Sequence, residues 1–209
     1  SVKPAAAQQI VDKTVAVVSD NVVEPQLITY SDLLWQLALQ PDVQLSPPSS
    51  PDLNRALQVL IDQRLIALEA ERLPTVAPSD EEVRIEIRRI LNLFPSTREF
   101  ERRLRAVGFE SVEDGNFRRM MEQRVAIEKY LDFRFRSFVV VTLQDEETYY
   151  RDVFTPNFRK RNPGVIVPAL EPVRAQINKI LTERKIEEDI ERFLEDARRR
   201  AEVEVLFEV

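Results

Sequence analysis

The spacing of hydrophobic positions changes character at both ends of this chain. Near the start, Lys13-Thr14-Val15-Ala16-Val17-Val18 is rich in β-formers and runs into a polar turn at Ser19-Asp20-Asn21, followed by Val22-Val23, which predicts a hairpin. At the far end Val203, Val205, Phe207 and Val209 alternate with Glu202, Glu204 and Glu208, the period-2 signature of a strand with one buried face. Between the ends, spacings of three and four dominate. A lone hairpin or strand is marginal in water, so the two ends are expected to pair and close the chain. The pattern predicts a mainly α protein with a small β-sheet formed by the N-terminal hairpin and the C-terminal strand.

The helices are marked by their caps and apolar stripes. Thr29 or Ser31 can cap a short helix carrying Leu33, Leu34, Trp35, Leu37 and Leu39, ending by Pro41. Ser46-Pro47-Pro48-Ser49-Ser50-Pro51 reads as a stiff connector. A long helix then starts near Asp52, with Leu53, Leu57, Leu60, Ile61, Leu65 and Leu68 on one stripe, and runs to about Arg72, where Leu73-Pro74 stops it. Ser79 with Glu82 forms a capping box for the next helix, and Ser96 with Glu99 repeats the device before a C-terminal cap at Gly108. Ser111 is expected to cap the longest helix, from Val112 to about Ser137.

Beyond it, Phe138-Val139-Val140-Val141 reads as an extended link or a short buried strand, and periodicity leaves both open. Thr142 offers a cap for an acidic helix through Tyr149, Tyr150 and Phe154. From Thr155 to about Glu171 the prolines, Arg159-Lys160-Arg161 and Asn162-Pro163-Gly164 predict a loop, longer than most in compact domains. A last helix with Val173, Ile177, Ile180, Leu181, Ile186, Ile190, Phe193 and Leu194 leads to the terminal strand.

Composition narrows the chemistry. The chain has 209 residues, a net charge of -6 and only three glycines, with neither cysteine nor histidine. The acidic balance argues against nucleic acid as a partner, since phosphate binding needs a basic face. No stretch approaches the roughly 18 to 20 apolar residues of a membrane span, which argues against stable membrane insertion. Ala5-Ala6-Ala7 reads either as the remnant of a processed leader or as a flexible tail. Without Cys and His the chain lacks thiol nucleophiles, disulfides, the usual transition-metal ligands and the default general base. The reading is therefore of a non-enzyme that needs no cofactor. Carboxylate clusters such as Glu146-Glu147 and Glu187-Glu188-Asp189 read as solvated faces, not as hard-cation sites.

Three stretches together resemble the SurA family of periplasmic chaperones and their parvulin-linked relatives. They are Ile10 to Asp20 with Ser31-Asp32-Leu33; Leu60 to Ile66 with Pro78 to Val83, Phe100 to Leu104, Gly108-Phe109 and Phe117-Arg118 to Arg124-Val125; and Val173 to Ile177 through Leu194 to the terminal strand. The resemblance implies a chaperone core made jointly by the N- and C-terminal segments, which cradles unfolded outer-membrane or secreted proteins in the periplasm. In such relatives one or two parvulin-type prolyl isomerase domains sit between those segments. Here only residues 155–170, sixteen positions, separate Phe154 from Glu171, too few for a catalytic domain. The expected organisation is a chaperone region over 1–155, a linker over 156–171 in place of the isomerase domain, and a completing helix and strand over 172–209. Isomerase activity is not carried over.

A holdase needs adaptable apolar surface. The candidates for client binding are Trp35, Leu39, Phe94, Phe109, Met120, Met121 and Phe158. Each has a plainer reading as core, which helical spacing favours, except Phe158, which falls in the expected loop. Tyr149-Tyr150 reads as an anchor for the acidic helix, and Arg159-Lys160-Arg161 as solvated. The sequence thus predicts an ATP-independent holdase for unfolded or nascent polypeptides, outer-membrane proteins foremost. A homodimer by segment exchange across the long loop stays open. The alternative is a structural or adaptor protein that binds one folded partner. An enzyme using carboxylates alone is the weakest reading and would need a buried pair of acids with raised pKa values.

Overall fold

The computed structural model describes residues 12–20, 22, 24–70 and 77–209 and shows a mainly helical protein with a small three-stranded antiparallel sheet. Ala5-Ala6-Ala7, Asn21, Val23 and the expected helix stop at Arg72-Leu73-Pro74 lie outside the described residues. The chain divides into two compact units. One holds the described residues up to Glu128 together with Asp196–Val209, the other Lys129–Glu195. These divisions fall inside helices, away from the expected limits at 155/156 and 171/172.

In the first unit the two ends do pair. Strands β1 (Thr14–Ser19), β2 (Gln26–Thr29) and β3 (Glu202–Val205) lie in the order β2-β1-β3. Antiparallel register sets Ala16 opposite Val205 and Val18 opposite Val203, and the Leu206 N–H donates to the Val15 carbonyl at 2.8 Å. The central strand buries Val15, Ala16 and Val18. Two details depart from the sequence reading. The second hairpin strand begins at Gln26, because Val22 sits in an exposed turn with its N–H bonded to Asp20 Oδ1. The terminal alternation does not give a buried face either: β3 stops at Val205, and Val205 and Phe207 stay about half open, as suits an edge strand with one neighbour. Phe207 is instead capped by the Lys13 ammonium, 3.4 Å from its ring centre.

Helix α1 (Tyr30–Ala38) starts at Thr29, whose hydroxyl accepts from the Asp32 N–H while the Asp32 carboxylate accepts from the Thr29 N–H. Its last carbonyls are held from outside: the Arg103 guanidinium donates to the carbonyls of Leu37, Ala38 and Val43 at 2.8–3.2 Å. Helix α2 (Ser50–Ala70) begins two residues before Asp52, with the Ser49 hydroxyl accepting from the Asp52 N–H. Leu33 and Leu37 of α1 and Leu53, Leu57, Leu60 and Ile61 of α2 are buried, as the stripe predicts. The Ser79–Glu82 capping box opens α3 (Asp80–Leu91), and the Ser96 hydroxyl caps α4 (Thr97–Ala106).

Helix α4 ends where the sequence places its cap. Gly108 adopts φ +98°, its N–H donates to Arg105 O at 3.3 Å, and the Phe109 N–H reaches back to Leu104 O at 3.0 Å. That pair of bonds is the Schellman motif, which requires a left-handed residue that glycine adopts without strain. Helix α5 (Gly115–Arg134) starts three residues later than Val112. The cap is Asp114, not Ser111, because the Asp114 carboxylate accepts from the N–H groups of Asn116 and Phe117 while the Ser111 hydroxyl closes only a local turn with Glu113. Donation from the Glu110, Asn116 and Phe117 N–H groups also holds the Asp114 carboxyl below its ordinary pKa. Helices α3, α4 and α5 share an aromatic core of Phe94, Phe100, Phe109 and Phe117, with rings 4.8–5.9 Å apart along the chain of contacts.

The second unit corrects the sequence reading most. A 3-10 turn at Arg136–Phe138 leads into a link at residues 139–142, and Phe138 and Val140 are exposed, so the β-branched run is an open link and not a buried strand. The Thr142–Asp145 capping box opens α6 (Leu143–Tyr149). The chain then stays helical through a π-turn at Tyr150–Phe154 into α7 (Thr155–Arg161), where a loop was expected. Pro156 is what hid this: inside an α-helix it lacks a donor and clashes with the carbonyl four residues back. The wider π-turn, in which the Thr155 N–H reaches Tyr150 O, relieves that conflict. The loop proper is confined to residues 162–169, with Gly164 at φ +82°. Helix α8 (Leu170–Arg200), at 31 residues, is longer than the 20-residue α5.

Within this unit Asp145 is tied to both ends of its surroundings. Lys185 Nζ donates to its carboxylate at 2.7 Å, and the Thr142 backbone and hydroxyl add to the pull, taking its pKa from 3.8 to about 2. The folded value is depressed, so the stabilisation is complete above the ordinary value of 3.8 and fades as pH falls towards about 2. Asp145→Asn is expected to flatten the fall in melting temperature across that acid window, and melts of both proteins from neutral to strongly acid buffer check it.

Candidate functional site

Three helical stripes of the first unit converge on a pocket of about 270 Å³. Asp32, Trp35 and Gln36 come from α1, and Leu60, Gln63 and Arg64 from α2. Helix α5 adds Asn116, Arg119, Met120, Gln123 and Arg124. In each helix the spacings are three and four, so one face of each points into the same space. Trp35 is held in place, donating from Nε1 to the Val107 carbonyl at 3.0 Å and packing 4.9 Å from the Phe109 ring. Arg64 donates to Leu27 O and to Gln123 Oε1, and lies 3.6 Å from the Asp32 carboxylate. Arg124 faces the buried carboxylate of Glu86 at 3.3 Å, which Arg89 also approaches at 3.3 Å.

A second pocket, of about 420 Å³, lies in the other unit and is lined by Tyr149, Phe154, Phe158, Val173 and Ile180 with polar neighbours such as Arg161 and Gln176. Tyr150, Phe154 and Phe158 stack in sequence at 5.7 and 5.8 Å, one turn apart. The Tyr150 hydroxyl donates to Pro168 O at 2.8 Å, and Tyr149 sits under the Arg184 guanidinium, so the tyrosine pair does anchor this helix.

Of the seven residues expected to meet a client, the structure leaves three available. Trp35 and Met120 are partly buried and line the first pocket; Phe158 is partly buried and lines the second, from a helix and not from a loop. Leu39, Phe94, Phe109 and Met121 belong to the buried cluster of α3, α4 and α5, so they hold helices together and offer no surface. Their helical spacing served the interior, the outcome such spacing favours.

Sequence reasoning did not offer several of the open apolar residues as client surface. Phe133, Phe138, Val140 and Leu143 each leave 64% or more of their surface open, and they fall within eleven consecutive positions of the second unit. Ile166, in the loop before α8, is 91% exposed. The signal was present in the Phe138-Val139-Val140-Val141 run, whose continuous hydrophobicity leaves an extended link and a short buried strand equally open.

The acidic clusters also need correction at one residue. Glu146 is not solvated: it is 4% exposed, accepts from Asn178 Nδ2 at 2.7 Å and lies 3.3 Å from Arg174 Nε. The buried carboxylates Glu86 and Glu146 fall in different units and each faces arginine. Among the described residues no group of three or more Asp or Glu side chains is placed to hold a metal ion, and no helix is long and apolar enough to cross a membrane.

These features define a mainly helical protein closed by a small sheet, with one polar and one aromatic pocket and a run of exposed apolar side chains. Compared with known protein families and with characterised proteins, the chain matches no family model and no characterised protein.

Proposed function

We propose that this protein is an ATP-independent holdase for unfolded polypeptides, acting in the periplasm on outer-membrane or secreted clients and lacking prolyl isomerase activity. The observation that carries the reading is the exposed apolar run at Phe133, Phe138, Val140 and Leu143. Soluble proteins seldom leave large apolar side chains open in such local density without a binding use. Each burial against a client side chain is worth on the order of 1 to 2 kcal/mol, weak enough singly to release and strong enough jointly to retain. The pairing of β1 with β3 supports the same reading, because a body closed by both ends tolerates either an inserted domain or, as here, a helix and an eight-residue turn region at residues 162–169.

At an equimolar ratio the protein is expected to suppress aggregation of an outer-membrane protein diluted from denaturant. Unchanged light scattering, together with tight one-to-one binding to a folded protein, would overturn this in favour of an adaptor. A proline-isomerisation assay should return the uncatalysed rate.

A further inference from the structure

The sheet of the first unit has two edges, and they are treated differently. On β2 the Leu27 carbonyl points away from β1 and is taken by the Arg64 side chain, whose Nε donates to it at 3.3 Å. On β3 no side chain among the described residues plays that part. The Leu206 N–H donates to Val15 O, and bonds along an antiparallel strand alternate in direction. The backbone groups of Glu202 and Glu204 therefore face β1, while those of Val203 and Val205 face outward. Two N–H groups and two carbonyls thus line an open edge, beside a Val205 side chain that is 49% exposed. Apart from water, the partner that matches donors and acceptors at this spacing is another extended backbone.

The side chains of β3 say which backbone fits. Val205 lies opposite Ala16 and Val203 opposite Val18, so both valines fall on the face that β1 buries, and an added strand extends that face with apolar residues. Glu202 and Glu204 fall on the other face, opposite the uncharged Ser19 and Val17; both are exposed and make no ion pair among the described residues. Positions across from them on an added strand call for cations. The same acids disfavour a second copy of the chain, because pairing Val203 of one β3 with Val205 of another sets Glu204 against Glu204. We infer that the open edge of β3 takes, by antiparallel strand addition, an extended segment of an unfolded polypeptide in which apolar and basic residues alternate. This deepens the holdase reading and rests on it for the source of the segment. The edge belongs to the first unit, whereas the exposed apolar run lies in the second, so the two fail separately.

The test uses the full chain and labelled pentapeptides, blocked at both ends, read by fluorescence anisotropy. One alternates lysine with valine, one alternates glutamate with valine, and a third is the lysine peptide with its valine nitrogens methylated, which keeps the charge and removes the strand donors. The lysine peptide is expected to bind at least about tenfold more tightly than either of the others. On binding it should slow hydrogen exchange at the Val203 and Val205 N–H groups. Val205→Pro removes a donor that β1 does not use, so the fold should hold while the lysine peptide binds at least about fivefold more weakly. Glu202→Lys with Glu204→Lys should transfer the preference to the glutamate peptide, and this variant decides the matter if Val205→Pro does not fold. Equal binding of the lysine and glutamate peptides, binding of neither, full binding of the methylated peptide, unchanged exchange at the two valines, or a lysine preference that survives the double reversal would each overturn the inference. So would a doubled mass in light scattering that Val205→Pro abolishes, since a second copy would then close the edge. Aggregation suppression without peptide binding sinks this inference and leaves the holdase reading, and peptide binding without suppression does the reverse.

Discussion

Removing Val203–Val209 is expected to lower the stability of the protein by about 3 to 5 kcal/mol. The segment contributes the ladder from Ala16–Val205 to Val18–Val203 and the Leu206-to-Val15 bond beyond it. Each backbone bond is worth on the order of 1 kcal/mol net, and deletion also opens one side of β1, the strand that buries Val15, Ala16 and Val18. Domains are stable by only about 5 to 15 kcal/mol, so the loss removes a large share of the total. Urea unfolding followed through Trp35, which reports on the N-terminal part, reads the effect. A truncated chain with the same midpoint and slope would mean that the ends contribute nothing to one another.

Phe117→Ala should cost a similar amount, about 3 to 5 kcal/mol, by a different route. Phe117 is fully buried in the first turn of α5, with ring contacts to Phe100 at 5.9 Å and Phe109 at 5.6 Å. Deleting the ring opens a cavity where helices α3, α4 and α5 meet, and the neighbouring rings cannot fill it without leaving their own contacts. The contrast with Phe133, on the same helix but 64% exposed, is the control: Phe133→Ala should move the midpoint by no more than about 0.5 kcal/mol. Thermal and urea melts of the two variants side by side separate a core role from a surface one.

What the sequence disclosed was local chemistry, and what it withheld was partnership. The caps at Ser79, Thr142 and Gly108, and Thr29 as one of two candidates with Ser31, were readable because each is satisfied by residues within a few positions of itself. The α5 start was misplaced because Ser111 and Asp114 are both cap residues in one short window, and the choice depends on which oxygen reaches the Asn116 and Phe117 N–H groups. Helix α7 was hidden by Pro156, since nothing in the residue pattern announces that a π-turn will absorb it. The burial of Glu146 could not be foreseen, because Asn178 and Arg174 come from another helix about thirty positions away.

The sites were less legible than the fold. Apolar residues at helical spacing look the same whether they face a core or a pocket, which is why Leu39, Phe94, Phe109 and Met121 were grouped with Trp35 and Met120. The informative residues were those in the run that periodicity left open, Phe138 and Val140. Their exposure is a tertiary fact that follows from what fails to cover them. The convergence of the α1, α2 and α5 stripes on one pocket is likewise set by helix packing and leaves no mark in any single segment.

The central claim, that exposed apolar surface retains unfolded clients, is tested most directly by a variant carrying Phe133→Ser, Phe138→Ser, Val140→Ser and Leu143→Ser. Its melting temperature should stay close to that of the parent, because these side chains are already largely in water. The account predicts that this variant, at equimolar ratio, no longer keeps a denatured outer-membrane protein from aggregating. Full suppression by a folded protein with all four residues made polar would contradict it.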